Sequence, residues 1–87
     1  MSAQKKVTIY GNTSCPYCGA ARLLLIKKAV EFEDIVITDD PRKRIEMQEK
    51  SGSPSVPQIF VGDTLVGGFE ELSALEIAGE LDTLLAG

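Results

Sequence analysis

The chain has 87 residues, 44% apolar and 25% charged, with nine Lys and Arg against 13 Asp and Glu for a net charge of −4. That composition is ordinary for a globular protein, and the length predicts one domain over residues 1–87, near the lower end of comfortable core size. The negative balance and the shortness of the basic runs Lys5-Lys6 and Arg42-Lys43-Arg44 argue against nucleic acid. No apolar run approaches the roughly 20 residues of a membrane span, and the stretch from Met1 to Lys6 has neither an h-region nor a small-residue cleavage site. The expectation is therefore a cytoplasmic chain with no membrane contact, in which the sequon Asn12-Thr13-Ser14 is a chance match.

Val7 to Tyr10, β-branched and aromatic, predicts a first strand. Ser14 or Cys15 then caps a helix with Pro16 at N1, where a missing N–H costs nothing. Ala20, Ala21 and Leu23 to Ile26 make that helix apolar over more than one face, so it is expected to be largely buried. Ile35 to Ile37 is a continuous apolar run suited to a central or parallel strand. Asp40 and Pro41 open a half-exposed second helix, with Ile45 and Met47 as its apolar positions and Glu46 and Lys50 paired on its outer face. Ser51-Gly52 ends it. Gln58 to Val61 and Thr64 to Val66 form a hairpin around Gly62-Asp63. Gly67-Gly68 turns the chain into a third helix, Phe69 to Ala78, with a core stripe of Leu72, Leu75 and Ala78 and with Gly79 at C′. A short helix over Leu81 to Leu85 closes the chain.

Cys15-Pro16-Tyr17-Cys18 holds the only two cysteines, and the chain has no histidine. A structural disulfide across one helical turn closes almost no loop and removes little unfolded-state entropy. Zinc needs about four ligands, which this chain cannot assemble from two thiols. Thiol–disulfide exchange remains, and a Cys-x-x-Cys at the first helical turn of a βαβ unit is the pattern for it. The helix N-terminus offers unpaired N–H groups and a positive dipole end, both of which stabilise a thiolate nucleophile. Cys15, nearer the helix mouth, is the expected attacking thiol, and Cys18, one turn inward, the resolving one. Two further segments stand out. Val56-Pro57 precedes a strand, where a proline is ordinarily a boundary residue. Gly67-Gly68 precedes a helix, where backbone N–H groups can approach a carboxylate, with Glu70 or Glu71 placed to accept from an ammonium.

Together these features resemble the dithiol glutaredoxins over nearly the whole chain. Cys15-Pro16-Tyr17-Cys18 is that family's active-site tetrapeptide; Ser51-Gly52 with Ser55-Val56-Pro57-Gln58-Ile59-Phe60 resembles its Ser-Gly and Thr-Val-Pro-Gln-Ile-Phe segments; Gly67-Gly68-Phe69-Glu70-Glu71-Leu72 resembles its Gly-Gly-x-Asp-Asp-Leu. The implied fold is α/β and thioredoxin-like, a four-stranded mixed sheet flanked by helices on both faces. The resemblance also implies a cis peptide at Pro57 and glutathione, as co-substrate, in a groove between the active-site helix and the Val56-Pro57 turn. In that groove Tyr17 flanks the glutathione sulfur and the Val56 backbone pairs with the cysteinyl unit. The N–H groups of Phe69 and Glu70, after Gly68, receive the γ-glutamyl carboxylate, and Arg44 or Gln58 reaches the glycine carboxylate. The expected partners are glutathione and disulfide-containing or glutathionylated proteins, the expected state is a monomer, and no metal is expected. The chain departs from the family pattern at Asn12, where a lysine is usual, at Ser55 in place of threonine, and at Glu70-Glu71 in place of Asp-Asp. Two other readings stand beside this one: a disulfide reductase served by thioredoxin reductase, which lacks the glutathione groove, and a non-catalytic homodimer bridged by an iron–sulfur cluster.

Overall fold

Near-continuous runs of β-branched and aromatic residues place two strands at the centre of a sheet. In the computed structural model, which describes residues 5–86, these are β1 (Val7–Gly11) and β3 (Gln58–Val61), both almost entirely buried. The full sheet runs β2-β1-β3-β4, with β2 at Phe32–Val36 and β4 at Thr64–Gly67. β1 pairs parallel with β2 and antiparallel with β3, and β3 pairs antiparallel with β4, so the sheet is mixed as expected.

Period-two alternation then divides the core in two. Val7, Ile9, Ile59 and Val61 point to one face, where they pack with Ala21, Leu25, Leu72, Leu81 and Leu85. Those residues come from α1 (Pro16–Lys27), α3 (Phe69–Ile77) and α4 (Leu81–Ala86). Tyr10 and Phe60 point to the other face and pack with Ile37 and with Met47 of α2 (Pro41–Ser51). There the Tyr10 and Phe60 rings meet edge to face at 5.9 Å, and the Tyr10 hydroxyl donates to a Glu46 carboxylate oxygen. Burial and that carboxylate hold the Tyr10 hydroxyl protonated well above its ordinary range. Glu46 is thus the polar anchor of α2 on the sheet, rather than only the exposed partner of Lys50, from which it stands 4.0 Å.

Four expectations are corrected. β2 begins at Phe32 rather than Ile35 and, of the two positions its apolar run suited, takes the parallel one beside β1 but at the edge of the sheet, with Glu33, Asp34 and Val36 exposed. The apolar run misled because Ile37, although buried, has already left the strand; its N–H closes onto Gly11 O at 2.8 Å. α1 is buried only along Cys18, Ala21 and Leu25, and Leu23 and Ile26 remain more than half exposed. A helix on the outer face of a layer covers the core with one stripe, whatever its other positions hold. Ile45 of α2 is likewise exposed, since only Met47 faces the sheet. Ala78 leaves the α3 stripe because the helix ends at Ile77 and turns outward at Gly79.

The helix ends follow local chemistry. Asp40 caps α2 by accepting from Arg42 N at 3.1 Å and Lys43 N at 3.2 Å, with Pro41 at N1. α1 and α3 close with the same paired bonds: Val30 N to Leu25 O and Ala29 N to Ile26 O in one, Glu80 N to Leu75 O and Gly79 N to Glu76 O in the other. Both need a left-handed residue at C′. α3 supplies Gly79 (φ 74°), whereas α1 uses Ala29 at φ 57°. Lys28 then fastens the end of α1 to α3 and α4 through Glu76 at 2.8 Å and Asp82 at 2.9 Å.

Candidate active site

The end of β1 and the start of α1 bring the two thiols to the rim of the sheet. Cys15 is the N-cap of α1 in extended conformation, with Pro16 at N1. Its thiol is partly exposed, whereas Cys18, one turn inside, is fully buried. Their acidities are driven apart. As a neutral thiol Cys15 closes no side-chain cap bond. As a thiolate it faces the backbone N–H of Cys18, the largest influence on it, and this together with the Cys18 thiol, the Tyr17 N–H and the charge of Arg22 lowers its pKa against partial desolvation. Burial pushes the Cys18 thiol up, and the Asn12 N–H and Arg22 only partly oppose it. The N-terminal turn of the helix, rather than a neighbouring lysine, is therefore the main cause of the lowered Cys15 pKa.

Asn12 is not merely the place of a missing charge. Its Oδ1 accepts from Cys15 N at 2.7 Å, and its carbonyl accepts from Arg22 Nη1 at 3.3 Å. The sequence contained a signal for this, an Asn three residues before a helix-capping position, whose short side chain closes local turns. Arg22 itself was missed, because its place over the thiol pair depends on how α1 lies on β1 and β2.

Beside Tyr17 opens a groove of about 620 Å³, lined among others by Val56, Pro57, Gln58, Gly68, Phe69 and Glu70. Three separate segments meet there: the first turn of α1, the loop between α2 and β3, and the β4–α3 junction. The Val56–Pro57 peptide is cis, as the resemblance implies. Tyr17, more than half exposed, leans over the groove toward Phe69, with ring centroids 6.4 Å apart. Gln58 is buried, and its Nε2 donates to Ser55 O at 2.9 Å, fixing the loop wall. At the far end Glu71 Oε1 accepts from Gly68 N at 2.8 Å, completing the first turn of α3 as a capping residue. Glu71 is thus committed to the backbone, and Glu70 is the carboxylate left facing the groove. The N–H groups of Phe69 and Glu70 are the first of α3, which helix geometry leaves without intrahelical acceptors.

Cys15 itself lies outside the lining of this groove, and so does Arg44. Arg44 borders a second cavity with Ile37, Thr38 and Ile45. Thr38, on the border of that cavity, accepts through Oγ1 from Thr13 N at 3.1 Å. The groove beside Tyr17, about 620 Å³ and edged by the first N–H groups of α3, suits a short peptide carrying a carboxylate.

A mixed four-stranded sheet between helical layers, with an asymmetric dithiol at a helix N-terminus, defines a thioredoxin-like thiol–disulfide oxidoreductase. The glutaredoxin family profile matches residues 7–66. A glutaredoxin of Pseudomonas aeruginosa is 49% identical over 80 residues, spanning 92% of this chain and 95% of that one. Glutaredoxin 3 of Escherichia coli is 44% identical over 79 residues, spanning 91% and 95%. The solution structure of a glutaredoxin from Brucella melitensis superposes with a TM-score of 0.84 at 47% identity, covering 95% of this chain and 90% of the other. The chain belongs to the glutaredoxin family.

Proposed function

We propose that this protein is a dithiol, glutathione-dependent oxidoreductase that reduces glutathione mixed disulfides and protein disulfides. The observation that carries the reading is the asymmetry of the thiols beside a peptide-sized groove, one partly exposed with its pKa lowered, the other buried with its pKa raised. The Cys15 thiolate attacks the glutathione sulfur of a mixed disulfide, forming a Cys15–glutathione disulfide and releasing the substrate as thiolate. A second glutathione thiolate attacks the glutathione sulfur of that adduct, so that Cys15 leaves as thiolate and oxidised glutathione departs. With a protein disulfide, Cys15 attacks one client sulfur and releases the other as thiolate; Cys18 then attacks the Cys15 sulfur, the second client thiolate leaves, and two glutathiones reduce the Cys15–Cys18 bond and depart as oxidised glutathione. No general base is required, because the lowered thiol pKa supplies the nucleophile near neutrality.

Glutathione is assigned to the groove with its sulfur at Tyr17, its cysteinyl backbone along Val56 next to Pro57, and its γ-glutamyl carboxylate on the N–H groups of Phe69 and Glu70. Of the two candidates for the glycine carboxylate, Gln58 lines the groove and keeps one Nε2 hydrogen beyond the one given to Ser55 O. Arg44 borders a separate cavity and reaches the carboxylate only if the ligand extends beyond the groove. The test is turnover of a small glutathione mixed disulfide, coupled to glutathione and glutathione reductase. Turnover with glutathione and none with thioredoxin reductase is the expected result; the reverse would overturn the reading.

A further inference from the structure

Cys18 and Arg22 lie one turn apart on the sheet-facing side of α1, and both press on a single point of β1. A side-chain carbon at Gly11 would fall 2.9 Å from Cys18 Sγ and 3.1 Å from Arg22 Nη2. The guanidinium is largely buried, its side chain 19% exposed, and it is held from two directions. Nη1 donates to the Asn12 carbonyl at 3.3 Å, and Nε sits 3.0 Å from Asp34 Oδ2 of β2, close enough for charge pairing but without hydrogen-bond alignment. Nη2, the nitrogen that shares the Gly11 site with the sulfur, has no hydrogen-bond partner. A buried cationic donor left open is unfavourable unless it serves an anion absent from the resting state.

We propose that Arg22 supports the Cys18 thiolate while Cys18 resolves a mixed disulfide on Cys15, as a positioning residue that touches no substrate. The role rests on the dithiol reading above. Before reaction the negative charge lies on Cys15. Once Cys15 is in a mixed disulfide that charge is gone, and Cys18 has to ionise inside the protein. Its proton passes to solvent, its thiolate attacks the Cys15 sulfur, the Cys15–Cys18 bond forms, and the bound partner leaves as thiolate. Burial opposes that ionisation, and Arg22 favours it. The charged groups facing the step are Arg22 from α1 and Asp34 from β2, which partly neutralises Arg22, while Cys15, the N-cap of α1, is uncharged as a disulfide. The β1–α1 turn contributes the neutral Asn12 N–H.

The experiment forms a mixed disulfide between Cys15 and a thionitrobenzoate chromophore, then follows its release by Cys18 against pH, with Cys18→Ser as the variant that retains the label. In Arg22→Gln the midpoint of release should rise by about one pH unit, the low end for loss of an adjacent opposite charge. Near neutrality that is a roughly tenfold loss of thiolate, offset about threefold by the greater nucleophilicity of a more basic thiol, for a net slowing of about threefold. Arg22→Lys should bring the midpoint back toward that of the natural protein. Asp34→Asn, which frees the guanidinium from its counter-ion, should move the midpoint the other way, to lower pH. A loss of folding produces no such opposite shift, so Asp34→Asn decides the matter even where Arg22→Gln does not fold. An unchanged midpoint in a folded Arg22→Gln, or an upward shift in Asp34→Asn, would overturn the role of Arg22. A labelled natural protein that releases no chromophore would instead bring down the dithiol reading and this role with it.

Discussion

Gly11→Ala probes the contact on which the whole site is built. The new methyl would sit 2.9 Å from Cys18 Sγ, 3.1 Å from Arg22 Nη2 and 3.3 Å from Cys18 Cβ. The guanidinium end of Arg22 can yield by a few tenths of an ångström, but Cys18 is fixed inside the first turns of α1 and cannot withdraw without moving the helix. Forcing a methyl into such a site costs about 1–3 kcal/mol. For a domain of this size each kcal/mol corresponds to about 4–8 °C in Tm. Thermal or urea unfolding of the reduced protein, followed by circular dichroism, measures the loss. The same substitution in a Cys18→Ala background removes the nearest clash while leaving the guanidinium contact, so the penalty there should shrink by about 1 kcal/mol, a coupling of the size expected between touching residues. Gly19→Ala serves as the opposite control. That glycine is exposed within α1, an added methyl there meets nothing within 4 Å, and alanine should stabilise by about 0.5–1 kcal/mol. A Gly11→Ala penalty below about 0.5 kcal/mol, or one identical in both backgrounds, would refute the packing argument.

Cys15→Ser should abolish thiol transfer, whereas Cys18→Ser should retain reduction of glutathione mixed disulfides; equal loss in both would exclude the route through a second glutathione. Thiolate absorbance against pH should give a Cys15 midpoint below the free-thiol value of about 8.5. By linkage, the stability this pKa shift contributes is fully present above that value and is lost as the pH falls through the Cys15 midpoint; unfolding of the reduced protein across that window checks the sign. If the ligand extends beyond the groove to Arg44, Arg44→Ala should raise the KM for a glutathione mixed disulfide a few-fold with kcat nearly unchanged, the sign of lost uniform binding, and an unaltered KM at low ionic strength would remove Arg44 from the site. Glu46→Ala strands the buried Tyr10 hydroxyl and should cost about 1–3 kcal/mol, a penalty that Tyr10→Phe should largely relieve. Ala29→Gly should stabilise by up to about 1 kcal/mol, since a left-handed L-residue costs about 1–2 kcal/mol and glycine returns part of that gain as chain entropy; both effects are read by unfolding.

What the sequence determined by itself is what depends on neighbours along the chain. Pro16 and Pro41 at N1, Asp40 as a cap, Gly79 at C′ and the Gly62-Asp63 hairpin are properties of a few consecutive residues, and each lies where it was expected. The order and spacing of Cys15-Pro16-Tyr17-Cys18, Val56-Pro57 and Gly67-Gly68 likewise marked the segments that meet around the site. Tertiary structure decided everything that depends on which face an element turns inward. It put β2 at an edge, where the run Ile35 to Ile37 had suited a central or a parallel strand and only the parallel pairing holds, and it left Leu23, Ile26 and Ile45 exposed although they are as apolar as the residues that are buried. It made Glu46 an anchor for Tyr10, whereas Glu71 on Gly68 N and Asn12 on Cys15 N are local caps between residues three apart, signals that the sequence carried. It also carried Arg22 over Gly11 to the buried thiol, a juxtaposition set by the packing of α1 against β1 and β2. Hydrophobicity along a chain measures how much surface favours burial, but which surface is buried follows from the packing of layers, and that is a relation between segments far apart in sequence.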